Sequence, residues 1–543
     1  MQGLMMDFPL TTNVILDYGN RVFPYKKIVS ILPNKTRHAY TFSDLYKRSK
    51  QLANALHNKL GIKKGDRVAT FAWNHYQHTE LYYAIPGAGA VCHPLNLRLN
   101  IEQISYIIDH AEDQAIFFDA SVADILEKAA KNAKSVKHYI VINADKSFTT
   151  TLPNVMHYED LLVEFDDDFK WVNVDENDAC AMCYTSGTTG NPKGVLYAHR
   201  TTYLHALTMI TSNMSNITTH DTVLAIVPQF HVMGWGYPYV CLFAGATMVF
   251  PSMHLKPKEL IQIIQEEKVT IANGVPTIWS GVYDELKNNP PEKQLSLKEI
   301  FVGGSALAKS LIKAWDDDFG VKAIHTWGMT ETSPLAVMSK LLPEHKELSE
   351  EEQLNIKAKQ GYELPGLELR IVDDNGKVLP RDGNSVGEIQ IRGAWVIKSY
   401  YKQTENVNSF TDDGWFKTGD VGNISADGYM QITDRTKDLI KSGGEWISSL
   451  ALEAGLLAHE NIREVAVIAI PDDKWMERPL AVIVLEQGKQ ITIEEIHTFL
   501  LANKFAKFEL PNSYTIVDDI PKTSVGKFDK KEMRRLYSEG KLI

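Results

Sequence analysis

A chain of 543 residues is too long for one hydrophobic core and implies two or more domains. Its 44% hydrophobic and 23% charged residues are those of an ordinary globular protein. A net charge of −11 argues against a general nucleic-acid binder.

The first part of the chain alternates helical and strand patterns. Residues 43–60 carry Leu45, Leu52, Leu56 and Leu60 on one helical face, with Gly61 as a stop. Residues 67–73 read as a strand and 79–90 as a helix. A helix over 101–110 opens on Asn100 with Gln103 as a capping box. A strand (114–119), a helix (122–133) and a strand (139–143) follow, and the alternation returns at 222–227, 257–267 and 270–273. Such alternation predicts a mostly parallel sheet covered on both faces, an α/β fold. Residues 344–352 are acidic and read as a solvated surface helix. From about Tyr362 the texture changes to short strands, at 369–372, 387–392 and 429–433, between Asp-Gly turns, which predicts a β-rich subdomain. After the charged run 434–441 come strands at 465–470 and 480–485, a helix capped by Thr492 and Glu495, and a strand at 514–517. These make a small α+β unit able to fold alone, with the charged run as a hinge.

The cysteines are Cys92, Cys180, Cys183 and Cys241, too few for a disulfide framework. Cys180 and Cys183 lie in an apolar run with no second ligand pair nearby, so buried strand thiols are expected rather than zinc ligands. No window approaches the roughly 18 apolar residues of a membrane span. Residues 1–10 lack the basic stretch of a secretory leader. These features point to the cytoplasm.

Directly after that apolar run, residues 184–195 read Y-T-S-G-T-T-G-N-P-K-G-V. Glycines let a backbone turn its N–H groups toward an anion, and the hydroxyls and Lys193 add donors and charge. The spacing is not that of the mononucleotide-kinase type of phosphate loop, Gly-x-x-x-x-Gly-Lys-Ser/Thr. Further distinctive runs follow: P-Q-F-H-V-M-G-W (228–235), V-G-G-S-A (302–306), T-W-G-M-T-E-T-S (326–333), G-W-F-K-T-G-D (414–420), D-R-T-K-D (434–438) and I-P-K-T-S-V-G-K-F-D-K-K (520–531).

In this order the runs resemble the adenylate-forming enzymes: acyl-CoA synthetases, peptide-synthetase adenylation domains and luciferases. The resemblance spans about residues 66–531 and is strongest to bacterial medium- and long-chain fatty-acid–CoA ligases. It implies a large domain (1–434), a hinge (435–437) and a mobile C-terminal domain (438–543). It implies that Thr185, Ser186, Gly187, Thr188, Thr189, Gly190 and Lys193 hold ATP phosphates, and that Thr185 and Glu331 bind Mg²⁺. Trp327 stacks on adenine beside Thr326, Gly328 and Gly304, and Thr330 contacts the α-phosphate. Tyr is usual at the position of Trp327, so one hydroxyl contact is missing. Asp420 takes the ribose, Arg435 the ribose or phosphate, and Lys437 the pivot. Lys527 is the catalytic lysine bridging carboxylate and α-phosphate. Lys441, Gly444 and Trp446 complete the cofactor-binding set, Gly444 lining the CoA pantetheine tunnel in a second conformation. His231, Trp235, Val302, Gly303, Gly304 and Ser305 border the acyl site, His231 closing beside it and Trp235 as a gate, with core packing the rival reading for both.

The reaction implied is ATP + carboxylate → acyl-AMP + pyrophosphate, then acyl-AMP + CoA → acyl-CoA + AMP. Medium-chain fatty acids are the first expectation and long-chain the second. A short thioether acid such as methylmercaptopropionate is the runner-up. Transfer to a carrier-protein thiol and luciferase-type oxygenation are weaker alternatives, and a non-catalytic sensor would be expected to lose Lys527 or Glu331. Relatives on this branch are often homodimers.

Overall fold

The computed structural model describes all residues except 2, 186–190, 404–408, 436, 443–444, 524–525 and 543, and the side chains of 132 and 446. Two large sheets dominate the first four hundred or so residues. One has seven strands, in the spatial order Val155–His157, His138–Ile142, Asp113–Asp119, Arg67–Phe71, Val91–Pro94, Ala179–Tyr184 and Gly194–Ala198. Its neighbours run parallel except for the last pair. The other has nine strands, with a parallel run from Lys27–Ile31 through Thr247–Phe250, Thr222–Ala225, Ile271–Gly274 and Glu299–Gly303 to Lys322–Gly328. Antiparallel strands close both of its edges. The α/β architecture expected from the alternating pattern is present. Cys180 and Cys183 lie on the strand Ala179–Tyr184, and all four cysteines are buried.

Amphipathic helices formed where the spacing put them. Leu45, Leu52 and Leu56 are fully buried on the helix Phe42–Asn58. Asn100 and Gln103 form their capping box at Ile101–Ala111, as Thr492 and Glu495 do at Ile493–Ala502. The helix Tyr76–Gly87 begins three residues before the expected start. It is buried on every side, so it has no polar stripe to mark its period, and its N-cap is the imidazole of His75, which accepts from the His78 N–H. The acidic stretch resolves into a short 3₁₀ turn, Pro343–Glu347, and a helix, Glu350–Ala358.

The β-rich segment is a four-stranded antiparallel sheet, Leu367–Val372, Gly387–Gly393, Phe416–Ile424 and Met430–Arg435. Beyond it lies a five-stranded sheet with an apolar cluster on each face, both built only from residues after 439. Among the described residues no helix is long and apolar enough to cross a membrane.

Candidate active site

The strands of the two large sheets end at one cavity of about 1850 Å³, lined also by residues of the C-terminal part of the chain, among them Ser448, Glu453, Thr523, Lys527 and Lys530. Thr185 follows the strand Ala179–Tyr184, and Lys193 precedes the strand Gly194–Ala198. The Thr185 N–H donates to the Lys193 carbonyl at 3.0 Å, and the Lys193 N–H donates to Thr185 Oγ1 at 3.2 Å. These bonds pin both ends of the glycine-rich loop. Ser186, Gly187, Thr188, Thr189 and Gly190 lie outside the described residues. The Lys193 ammonium sits 4.7 Å from the centre of the Tyr400 ring, a cation–π distance.

The strand Lys322–Gly328 delivers Thr326, Trp327 and Gly328 to the cavity wall. Gly328 is obligatory there, because a Cβ would lie 2.1 Å from the Pro334 carbonyl oxygen. The next turn, Thr330–Thr332, aims Glu331 inward. Glu331 is 8% exposed, and its carboxylate accepts from Tyr400 Oη at 2.8 Å. Burial pushes the Glu331 carboxyl above its ordinary range, against the pull of the Tyr400 bond. A phenol holds this carboxylate; the cations Arg435 and Lys193 act on it only through space.

Asp420, 2% exposed, is gripped on both oxygens. Trp327 Nε1–H donates to Oδ2 at 2.9 Å, and Arg435 Nε lies 3.0 Å from Oδ1. The indole N–H at this position thus supplies a donor of its own to the carboxylate. Asp420 in turn raises the Arg435 pKa.

Lys527 enters from the C-terminal part of the chain. Its loop is closed by Thr523 N–H to the Lys527 carbonyl at 2.6 Å and Lys527 N–H to Thr523 Oγ1 at 3.2 Å. Its Cε would lie 3.4 Å from a Cβ placed on Gly304. Burial, then Arg435, push its pKa down to about 8, against the attraction of Asp420 and Glu331. The cavity thus gathers Glu331, Asp420, Arg435, Lys437 and Lys527 around one volume.

His231 and Trp235 line the same cavity. Burial pushes the His231 imidazole down to about 3, with Lys527 and Arg98 adding to the effect, so it is neutral at physiological pH. Trp235 sits in a left-handed run, with φ of 40° at Val232, 48° at Met233, 59° at Gly234, 54° at Trp235 and 76° at Gly236. L-residues resist this conformation by roughly 1–2 kcal/mol each, so the surrounding packing must enforce it. The result presses the indole against the cavity: Trp235 Cη2 would lie 2.9 Å from a Cβ on Gly303. The ring is half-buried, with one part on the main core and one on the cavity, so packing and lining coexist. Gly303, Gly304 and Ser305 border the same space.

Two expected site residues, Val302 and Lys441, lie off the cavity. Val302 is fully buried in a core cluster, and only its carbonyl takes part, accepting from Thr326 Oγ1 at 3.2 Å. Lys441 is exposed and off the cavity, its N–H donating to Glu477 at 2.8 Å. Gly444 and the side chain of Trp446 are outside the described residues. Among the lining residues that no sequence run marks are Tyr400 and Arg98. Tyr400 belongs to no run with a glycine signature. Arg98 follows the strand Val91–Pro94 in an unremarkable N-L-R-L-N loop, yet its charge reaches His231.

Glu331 and Thr185 offer hard oxygen donors suited to Mg²⁺. Among the described residues no group of three His, Cys, Asp or Glu could hold a metal unaided. A cation here would take its other ligands from phosphate and water.

The chain belongs to the AMP-binding enzyme family, whose profile matches residues 18–401, with the AMP-binding enzyme C-terminal domain at 451–527. It is 41% identical to a medium-chain-fatty-acid–CoA ligase of Ectopseudomonas oleovorans, covering 99% of this chain and 98% of that one. It is 40% identical to a 3-methylmercaptopropionyl-CoA ligase of Ruegeria lacuscaerulensis, over 99% of each. Among solved structures, ATP-bound MatB from Rhodopseudomonas palustris superimposes with a TM-score of 0.82 at 27% identity, covering 98% of this chain and 100% of that one.

Proposed function

We propose that this protein is an acid–thiol ligase that activates a medium- to long-chain fatty acid with ATP and passes the acyl group to CoA. The observation that carries the reading is the meeting of Lys527 with Glu331, Asp420 and Arg435 in one cavity with an apolar flank under Trp235. In the first half-reaction a carboxylate oxygen attacks the α-phosphorus, and the P–O bond to pyrophosphate breaks with its electron pair going to the leaving group. The two reactants are both anionic, so charge must be offset before they can touch. Lys527 does this at the carboxylate and α-phosphate. Thr185, Lys193 and the loop between them hold the β- and γ-phosphates. Asp420 and Arg435 fix the ribose, and Trp327 stacks on the adenine while holding Asp420. Neutral His231 closes the acyl side without adding charge. Mg²⁺ held by Glu331 and Thr185 supplies further neutralisation of the phosphates. In the second half-reaction the CoA sulfur attacks the acyl carbon and AMP leaves. That step needs the C-terminal domain, 438–543, to turn about the hinge 435–437, withdrawing Lys527 and presenting the Gly444 segment. A cytoplasmic homodimer is the assembly expected of this branch.

The lysine gives a pH dependence. It works as an ammonium, and a free-enzyme pKa of about 8 leaves it largely charged at pH 7. The kcat/KM for acyl-AMP formation should fall about tenfold per pH unit above that value. The limb of kcat should lie higher, because bound triphosphate favours the charged form. Stopped-flow or exchange assays between pH 6 and 10 check both limbs.

A short thioether acid is the second reading, favoured by the near-equal identity to the methylmercaptopropionyl-CoA ligase. Acyl transfer to a carrier-protein thiol is the third. A panel from 3-methylmercaptopropionate through octanoate to palmitate, assayed for AMP release with and without CoA, separates them. The proposal expects kcat/KM to rise with chain length to at least octanoate and turnover to require CoA. A maximum at the thioether acid would replace the substrate assignment.

A further inference from the structure

We propose that Asp434, Ser449, Glu453 and Lys530 form a polar latch that positions Lys527 for acyl-AMP formation and must open before transfer to CoA. This rests on the two-step reading above and its hinge at 435–437. Asp434 is fully buried near the end of the strand Met430–Arg435, on the large-domain side of the hinge. Its carboxylate accepts from the Ser449 N–H, at the start of the helix Ser449–Leu457, and from Ser449 Oγ at 3.1 Å. Ser449 Oγ accepts from Lys530 Nζ at 2.6 Å. Lys530 Nζ also pairs with Glu453 Oε1 at 2.7 Å, and that oxygen accepts from the Val467 N–H at 2.8 Å. Beside them Ser448 Oγ donates to the Thr433 carbonyl. Thr433 and Asp434 precede the hinge; every other member follows it.

The latch bears on Lys527 through the chain. Lys530 opens the helix Lys530–Ser538, three residues after Lys527. The Asp529 N–H donates to the Pro521 carbonyl at 2.7 Å, closing the loop that carries Lys527. Holding Lys530 against Ser449 and Glu453 therefore holds that loop over the cavity.

One ammonium serves two buried carboxylates. Burial pushes both Asp434 and Glu453 upward in pKa, and Lys530 is the largest opposing influence on each. A buried carboxylate stripped of its partners is costly. A turn about the hinge separates Asp434 from Ser449 and Lys530, so the latch weights the equilibrium toward the adenylating arrangement. Strengthening it should favour the first step at the expense of the second.

The test measures two half-reactions separately: acid-dependent ATP–pyrophosphate exchange without CoA, and conversion of supplied acyl-AMP plus CoA to thioester. In Lys530→Met, exchange should fall about 10–100-fold, the ratio equivalent to one charged hydrogen bond. Thioester formation should hold or rise. Lys530→Arg should recover part of the exchange, and Asp434→Asn, which keeps shape and an acceptor oxygen, should repeat the split if Lys530→Met folds poorly. Equal losses in both half-reactions, or a loss confined to the second, would overturn the latch. So would exchange unchanged in both Lys530→Met and Asp434→Asn. Failure of the underlying reading looks different: wild type itself would show no acid-dependent exchange.

Discussion

Lys527→Ala is expected to lower acyl-AMP formation by about 10²–10³-fold, the usual cost of removing one preorganised electrostatic contact. Supplied acyl-AMP should still be converted to thioester by CoA at close to the wild-type rate. The asymmetry follows from geometry. In this arrangement Lys527 reaches the volume beside Gly304, among Glu331, Asp420 and Arg435, where a carboxylate and an α-phosphate would meet. The second step has a thiol and an adenylate but no second phosphate to approach. Burial with other cations nearby also means that the wild-type fold carries Lys527 at some cost, as its lowered pKa records. Alanine should therefore leave the melting temperature unchanged or raise it. Equal losses in both steps with an intact fold would remove the division of labour between them.

Glu331→Gln is the second large effect. The amide keeps the volume and can still accept from Tyr400 Oη, but it removes the charge. Acyl-AMP formation should fall about 10²-fold, and half-maximal rate should require more Mg²⁺. Stability should move the other way. A carboxyl whose pKa is raised in the fold opposes folding above its unfolded pKa, so at pH 7 the wild-type charge is a cost. The neutral amide avoids it. Thermal melts at pH 5 and pH 8, run beside Mg²⁺ titrations, should show the variant's advantage grow with pH. A lower melting temperature with unchanged Mg²⁺ dependence would assign Glu331 to the scaffold.

Much of the site was legible because its chemistry sits in contiguous runs. Thr185 and Lys193 are joined across a glycine-rich loop, and Trp327, Gly328 and Glu331 lie on one strand end and the turn after it. Each run announces itself by residue types that a plain turn does not need. What failed to show were arrangements made by distant segments or by ordinary residues. Trp327 and Asp420 meet across 93 positions, and Lys530 and Ser449 across 81. No spacing rule predicts such pairs. Val302 was misplaced because a strand that ends at a cavity alternates its side chains between wall and core, and Val302 faces the core. The helix Tyr76–Gly87 was mistimed because burial on all sides erases periodicity. The left-handed run at Val232–Gly236 is invisible in a sequence where only Gly234 and Gly236 hint at positive φ.

The most direct test of the central claim is the nucleotide product formed from ATP, Mg²⁺ and octanoate. The account predicts acid-dependent release of pyrophosphate with an enzyme-bound acyl-AMP in the absence of CoA, and stoichiometric AMP and octanoyl-CoA once CoA is added. Stoichiometric ADP and inorganic phosphate would contradict it.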